Sequence, residues 1–142
     1  MMHCAFKFRL YPNKRQREYF ENNFGACRFM WNKLLEDSMN DYKLTGKLCL
    51  NTPAMYKSDN TWLLDVDSLA LANVQQNLKV SYQKFFSNLK KHKKKSGHPK
   101  FKKKGRCRKS YTTNLVTGNI AVYDNAVKLP KVGKVKAVIH RE

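Results

Sequence analysis

Acidic residues are scarce in this 142-residue chain: ten Asp and Glu stand against 29 Lys and Arg, and none lies between Lys90 and Lys109. That deficit excludes an ordinary solvated surface there, because neighbouring like charges repel unless a bound counter-charge relieves them. Long apolar runs are missing too. Nowhere do 18 apolar residues follow one another, and the opening MMHCAFKFRLYP has no apolar signal core, so the sequence reads as a soluble, unexported protein with no membrane partner. Paired cysteines are also lacking. Cys4, Cys27, Cys49 and Cys107 form no CxxC, and His3, His92, His98 and His140 share no ligand spacing, so neither a zinc site nor a disulfide framework is expected; the thiols read as reduced, in a cytosolic setting.

What is present is cationic charge, unevenly placed. Twelve of the twenty residues from Lys90 to Lys109 are Lys or Arg. Residues 1–89 carry 12 basic and 8 acidic side chains, net +4, whereas residues 90–142 carry 17 and 2, net +15. The partner this implies is a phosphate backbone rather than a small acidic substrate. A disordered basic tail is the alternative, but GHPKF interrupts the run with a turn and an aromatic, and 42% hydrophobic residues suffice for a real core.

Cys4, Phe6, Phe8 and Leu10 alternate with Ala5, Lys7 and Arg9, the period of a half-buried strand, and Pro12 ends it. Asn13 and Gln16 have capping-box spacing, and Tyr19, Phe20 and Phe24 form an apolar stripe that Gly25 is expected to stop. A second helix then carries Cys27, Trp31, Leu34, Leu35 and Tyr42 to Gly46, so a helix-turn-helix or a plain helical hairpin is expected about Gly25. Trp31 falls on the apolar face and reads as core. Asn51 to Trp62 is loop or short helix. Asp65 and Asp67 read as cap and first-turn charges of a long helix from Ser68, whose apolar face is Leu71, Leu78, Tyr82, Phe85, Phe86 and Leu89, with Ala72, Gln75, Gln76, Lys79 and Gln83 elsewhere. Beyond Gly105 the period becomes two: SYTTNLVT, NIAVY, AVKLP and KVKAVIH read as strands separated by Thr117-Gly118-Asn119, Asp124-Asn125 and Gly133. The first strand has no local partner and is expected to pair with these last ones, which makes the fold α+β, a helical hairpin or bundle inserted after the first strand of an antiparallel β-structure.

FKFRLYPNKRQ, FGACRFMWNKLLE, TWLLDVDSLALANVQQNLKVSYQKFF, GHPKFKKKGRCRKSYTTN and VKLPKVGKVKAVIHRE resemble, in order, successive signatures of the OrfB/TnpB proteins of bacterial insertion sequences. The resemblance implies the N-terminal part of an RNA-guided DNA endonuclease. It implies a wedge-type barrel (first strand in 1–12, remaining strands with the basic segment in 96–142), a helical recognition insertion (13–95), and a RuvC-like nuclease and zinc ribbon that are absent here. Guide RNA, double-stranded target DNA and a downstream nuclease domain are the implied partners, the bacterial cytosol or nucleoid the implied location, with no cofactor held by this chain and no cleavage by it alone.

Matched to the family, the places that read a short DNA motif fall on Asn51 and Thr52, on Ser68, Leu69 and Ala72, and around Val116 and Thr117. Gln76 and Lys79 continue the exposed side of the long helix. Lys90, Lys93, Lys95, Lys100, Lys102, Lys103, Lys104, Arg106, Arg108 and Lys109 supply the phosphate contacts. Phe101 and Tyr111, flanked by cations, are placed to stack on RNA bases. Two other readings remain: a free-standing helix-turn-helix repressor, and a ribosomal-type RNA-binding protein.

Overall fold

A computed structural model describes residues 5–91, 97–106, 109–116 and 118–138. The elements are β1 (Arg9–Tyr11), α1 (Lys14–Thr45), 3-10 turns at Pro53–Tyr56 and Thr61–Asp65, α2 (Ser68–Lys90), β2 (Ala121–Val122), β3 (Ala126–Leu129) and β4 (Gly133–Val138). They group into two compact units, Met1–Glu21 with Asn114–Glu142, and Asn22–Thr113.

The first unit is an antiparallel sheet in the order β1-β4-β3-β2. The expected return of the N-terminal strand is there, since Arg9, Leu10 and Tyr11 pair with Val138, Ala137 and Lys136. The barrel is not: among the described residues the four strands form an open sheet. Residues 109–116, read as a strand from SYTTNLVT, are irregular, while NIAVY contributes only Ala121 and Val122. A three-residue connection joins β3 to β4, with Lys131 and Gly133 both at left-handed φ (68° and 83°). Val127, Val135 and Ala137 are buried, as the strand period requires. The capping box is made: Asn13 Oδ1 accepts from the Gln16 N–H and Gln16 Oε1 from the Asn13 N–H, both at 2.9 Å. Gln16 then spends its amide hydrogens on the Lys134 carbonyl at 2.8 Å, which fixes the start of α1 against β4.

The second unit corrects the expectation of two helices about Gly25. α1 runs unbroken through that residue. A glycine inside a helix costs about 1 kcal/mol relative to alanine, and that penalty is small beside the burial that follows it: Ala26, Met30 and Leu34 lie on one line of the helix, with Leu35 beside them, all fully buried. The helix stops where a glycine is required, at Gly46 with φ 73°, whose N–H donates to the Tyr42 carbonyl at 2.8 Å. α2 begins as expected, with Asp67 accepting from the Leu69 N–H at 2.9 Å. It packs Leu71, Leu78 and Tyr82 against Leu34, Leu35, Tyr56 and Leu63, whereas Leu89, expected on the same face, is 48% exposed.

Polar contacts complete this core. The Ser38 and Tyr82 hydroxyls share a buried hydrogen bond of 2.9 Å. The Tyr56 hydroxyl donates to Asp37 at 2.6 Å and accepts from Asn51 Nδ2 at 2.9 Å; burial, then the Asp37 bond, push its pKa up to about 12.

Gly25→Ala is expected to stabilise the chain by about 0.5–1 kcal/mol in urea unfolding, because Ala restores helix propensity. The added methyl meets nothing nearer than the Arg28 guanidinium at 3.7 Å. Loss of stability would mean that residue 25 is a turn.

Candidate nucleic-acid interface

The basic segment is tied to α1 by its backbone. Trp31, 7% exposed, donates its indole N–H to the Lys100 carbonyl at 2.8 Å. Asn32, next on the helix, donates from Nδ2 to the Lys102 carbonyl at 2.9 Å and accepts the Lys102 N–H on Oδ1 at 2.7 Å, so its amide serves the segment as a neighbouring strand would. The Lys102 ammonium lies 4.3 Å from the centroid of the Trp31 ring. Upstream, the His98 ring stands edge-on to Tyr82 and Phe85, 5.3 Å from each. Downstream, Asn73 of α2 donates to the Thr112 carbonyl at 3.1 Å.

All of these anchors are neutral groups or backbone except the Lys102 contact. The Lys100, Lys103, Lys104 and Arg106 side chains stay exposed. The segment is held by what it shares with any peptide, and its charge is left to solvent. With no carboxylate anywhere from Lys90 to Lys109, this is a surface that repels itself until an anion arrives.

Between α1, α2 and the segment lies a groove of about 630 Å³. Phe24, Cys27 and Arg28 form the α1 wall, Ala70, Asn73, Val74 and Asn77 the α2 wall, and Lys100 to Lys103, Arg106 and Tyr111 the third. The Tyr111 ring packs against Phe24 with centroids 6.2 Å apart, while Phe101 is 50% exposed. Burial pushes the Cys27 thiol up to about 11. Cys27 and Cys49 are free. Among the described residues no three His, Cys, Asp or Glu side chains gather to hold a metal, and no helix is long and apolar enough to cross a membrane.

The residues matched to motif reading separate. Ser68, Ala72, Gln76 and Lys79 are exposed along α2 and Leu69 is half-buried. Asn51 is engaged within the fold: its amide bonds Tyr56 and its carbonyl accepts from Gln75 Nε2 at 3.0 Å. Thr52 is exposed at the start of the first 3-10 turn. Val116 belongs to the sheet unit, in a turn closed by Asn119, whose Oδ1 accepts the Val116 N–H at 2.7 Å. Lys90, Lys109 and Tyr111 are described, the first two exposed. Lys93, Lys95, Arg108 and Thr117 lie outside the described residues, as do His92, Cys4 and Cys107.

Sequence reading missed Asn32, Arg28, Asn73 and Asn77, single polar residues in helices that carry no pattern of their own. It also missed a basic face on the sheet, where Lys128 pairs directly across from Lys134 and Lys136 follows two residues on. Opposed like charges destabilise a ladder, and here the Lys134 ammonium turns to the Tyr123 ring, 4.3 Å from its centroid. The alternation in KVGKVKAV was the available signal.

Residues 1–47 match the helix-turn-helix domain of IS605-type OrfB proteins. Over 108 residues, 71% of its length, the chain is 32% identical to InsQ of Escherichia coli (strain K12), a protein named as an RNA-guided DNA endonuclease. It spans about a quarter of that relative, whose aligned part is 25% of its length. The domain's name describes the family, since in this chain the matched helical residues form the single helix α1. The match to the OrfB helix-turn-helix domain over residues 1–47 and the likeness to InsQ bear out the resemblance of this chain to the OrfB/TnpB proteins of insertion sequences.

Proposed function

We propose that this chain is the nucleic-acid-binding region of an OrfB/TnpB-type RNA-guided DNA endonuclease, which binds guide RNA and double-stranded target DNA in the bacterial cytosol and does not cut DNA by itself. The observation that carries this reading is the acid-free segment Lys100–Arg106, whose backbone is fastened to Trp31 and Asn32 while its cations face solvent. Pre-placed cations neutralise phosphates without first having to be ordered. Sequence selectivity is assigned to the exposed start of α2, where Ser68, Ala72 and Gln76 present short side chains suited to base edges and thymine methyls. The open sheet is read as part of a wedge-type barrel, and a nuclease domain elsewhere in the complete enzyme is the expected partner. The repressor reading loses its support because α1 runs unbroken through Gly25 and offers no second helix set at an angle to enter a groove.

Three outcomes are expected. Replacing Lys100, Lys103 and Lys104 with Gln should weaken binding to all nucleic acids and flatten the log K against log salt slope by up to about 3 for duplex, whereas Ser68→Ala should change preference among duplexes and leave the slope alone. Salt-titrated anisotropy reads both, and loss of selectivity in the lysine variant at constant slope would refute the division of roles.

Asn32→Ala removes no charge, yet it should lower affinity about tenfold by freeing the segment, on the ordinary worth of two hydrogen bonds. Unchanged affinity would show that docking is irrelevant to binding. Finally, the 142-residue chain incubated with supercoiled plasmid and Mg²⁺ should leave it intact, because among the described residues no three His, Cys, Asp or Glu side chains gather to hold a metal. Nicking that disappears in Asp65→Asn/Asp67→Asn would reverse this.

A further inference from the structure

Beyond phosphate neutralisation and motif reading, the groove in residues 22–113 has a shape that neither uses. Duplex DNA is read by elements that protrude into its grooves, the major groove being about as wide as a helix. A recess of about 630 Å³ has the opposite shape, concave where those elements are convex. Its size falls within the range of roughly 300–1,000 Å³ that encloses small ligands, far too small to admit a double helix.

Its chemistry narrows the occupant. Arg28, Lys103 and Arg106 contribute to its walls and no carboxylate does. Phe101, half-exposed at the same groove, has no polar atom to offer water or phosphate, so an aromatic face is what it can take. Asn77 is exposed on the α2 wall and brings an amide donor and acceptor, the pair that reads a base edge. A cationic trough with an aromatic platform is the arrangement that binds a single strand, whose unpaired bases can stack while its phosphates meet the cations. The line of exposed cations from Lys100 to Arg106 continues the charge along the segment, which suits a strand more than an isolated nucleotide.

We propose that this groove is a binding site for single-stranded polynucleotide, one or two nucleotides of which enter it with a base stacked on Phe101, an edge against Asn77 and phosphates against Arg28, Lys103 and Arg106. The proposal rests on the reading of this chain as a nucleic-acid-binding region and adds to it a strand that is unpaired where it is held. Guide RNA and a displaced DNA strand share this chemistry.

The test uses the full 142-residue chain with labelled oligo(U) and oligo(dT) of about eight nucleotides, within the usual span of a single-strand site, and a duplex, all read by anisotropy at fixed salt. Phe101→Ala should weaken the single strands at least about fivefold, the lower range of one base–aromatic stack, with the salt slope and duplex affinity unchanged. Phe101→Trp should restore binding. Asn77→Glu, at an exposed position, should weaken the single strands by placing a carboxylate among the phosphates. Whichever oligomer the parent chain prefers names the source of the strand. Equal loss for strand and duplex in Phe101→Ala, no loss in either variant, or ready displacement of the oligomer by uridine monophosphate would overturn the groove assignment. Duplex binding that persists through such a result would leave the proposed function standing, whereas absence of binding to strand and duplex alike would end both.

Discussion

Two adjacent side chains on α1, Trp31 and Asn32, decide what the most charged part of this protein is. They hold the backbone at Lys100 and Lys102 through three hydrogen bonds between 2.7 and 2.9 Å. Without them the run would be a solvated polycation, since its own sequence has too little apolar surface to offset the cost of ordering. With them it becomes a wall of a groove. The indole does two things at once, burying its rings in the helical core and placing its one polar atom at the rim where the segment passes.

The helical unit is arranged to make that rim firm. Burial of Met30, Leu34 and Leu35 holds this stretch of α1 against the core, so Arg28 and the Trp31–Asn32 pair stand on one helical element. Tyr56 and Tyr82 put hydroxyls among apolar neighbours, and each finds a partner in Asp37, Asn51 or Ser38. Those partners matter because an unmade hydrogen bond in such a place costs more than a made one gains. The engagement of Asn51 follows from this, and it draws the proposed motif-reading positions toward Ser68, Ala72 and Gln76.

Charge is treated differently in the sheet unit. There lysines alternate with buried Val135 and Ala137 on β4, so the cations project from one face of the sheet, and a cross-strand lysine pair is tolerated with Tyr123 beneath one ammonium. Both units thus leave cations exposed beside aromatic rings, by helix packing in one and strand period in the other.

Local chemistry by itself determined the capping box of Asn13 and Gln16, the Asp67 cap, the start of α2 at Ser68 and the cationic character of the Lys90–Lys109 run, because each depends on neighbours in the chain or on composition. The resemblance to the OrfB/TnpB proteins was legible too, as ordered phrases along the chain. Only tertiary structure decided the rest. Gly25 carries a strong stop signal, but whether a glycine ends a helix depends on what the flanking turns bury, and here Ala26, Met30 and Leu34 directly after it are fully buried in the helical core. SYTTNLVT has the composition of a strand and finds no strand partner among the described residues. The groove is assembled from Arg28, Asn77 and Phe101, residues far apart in sequence that no spacing links; contacts made across such separations are set by packing, and packing is not written in any local pattern.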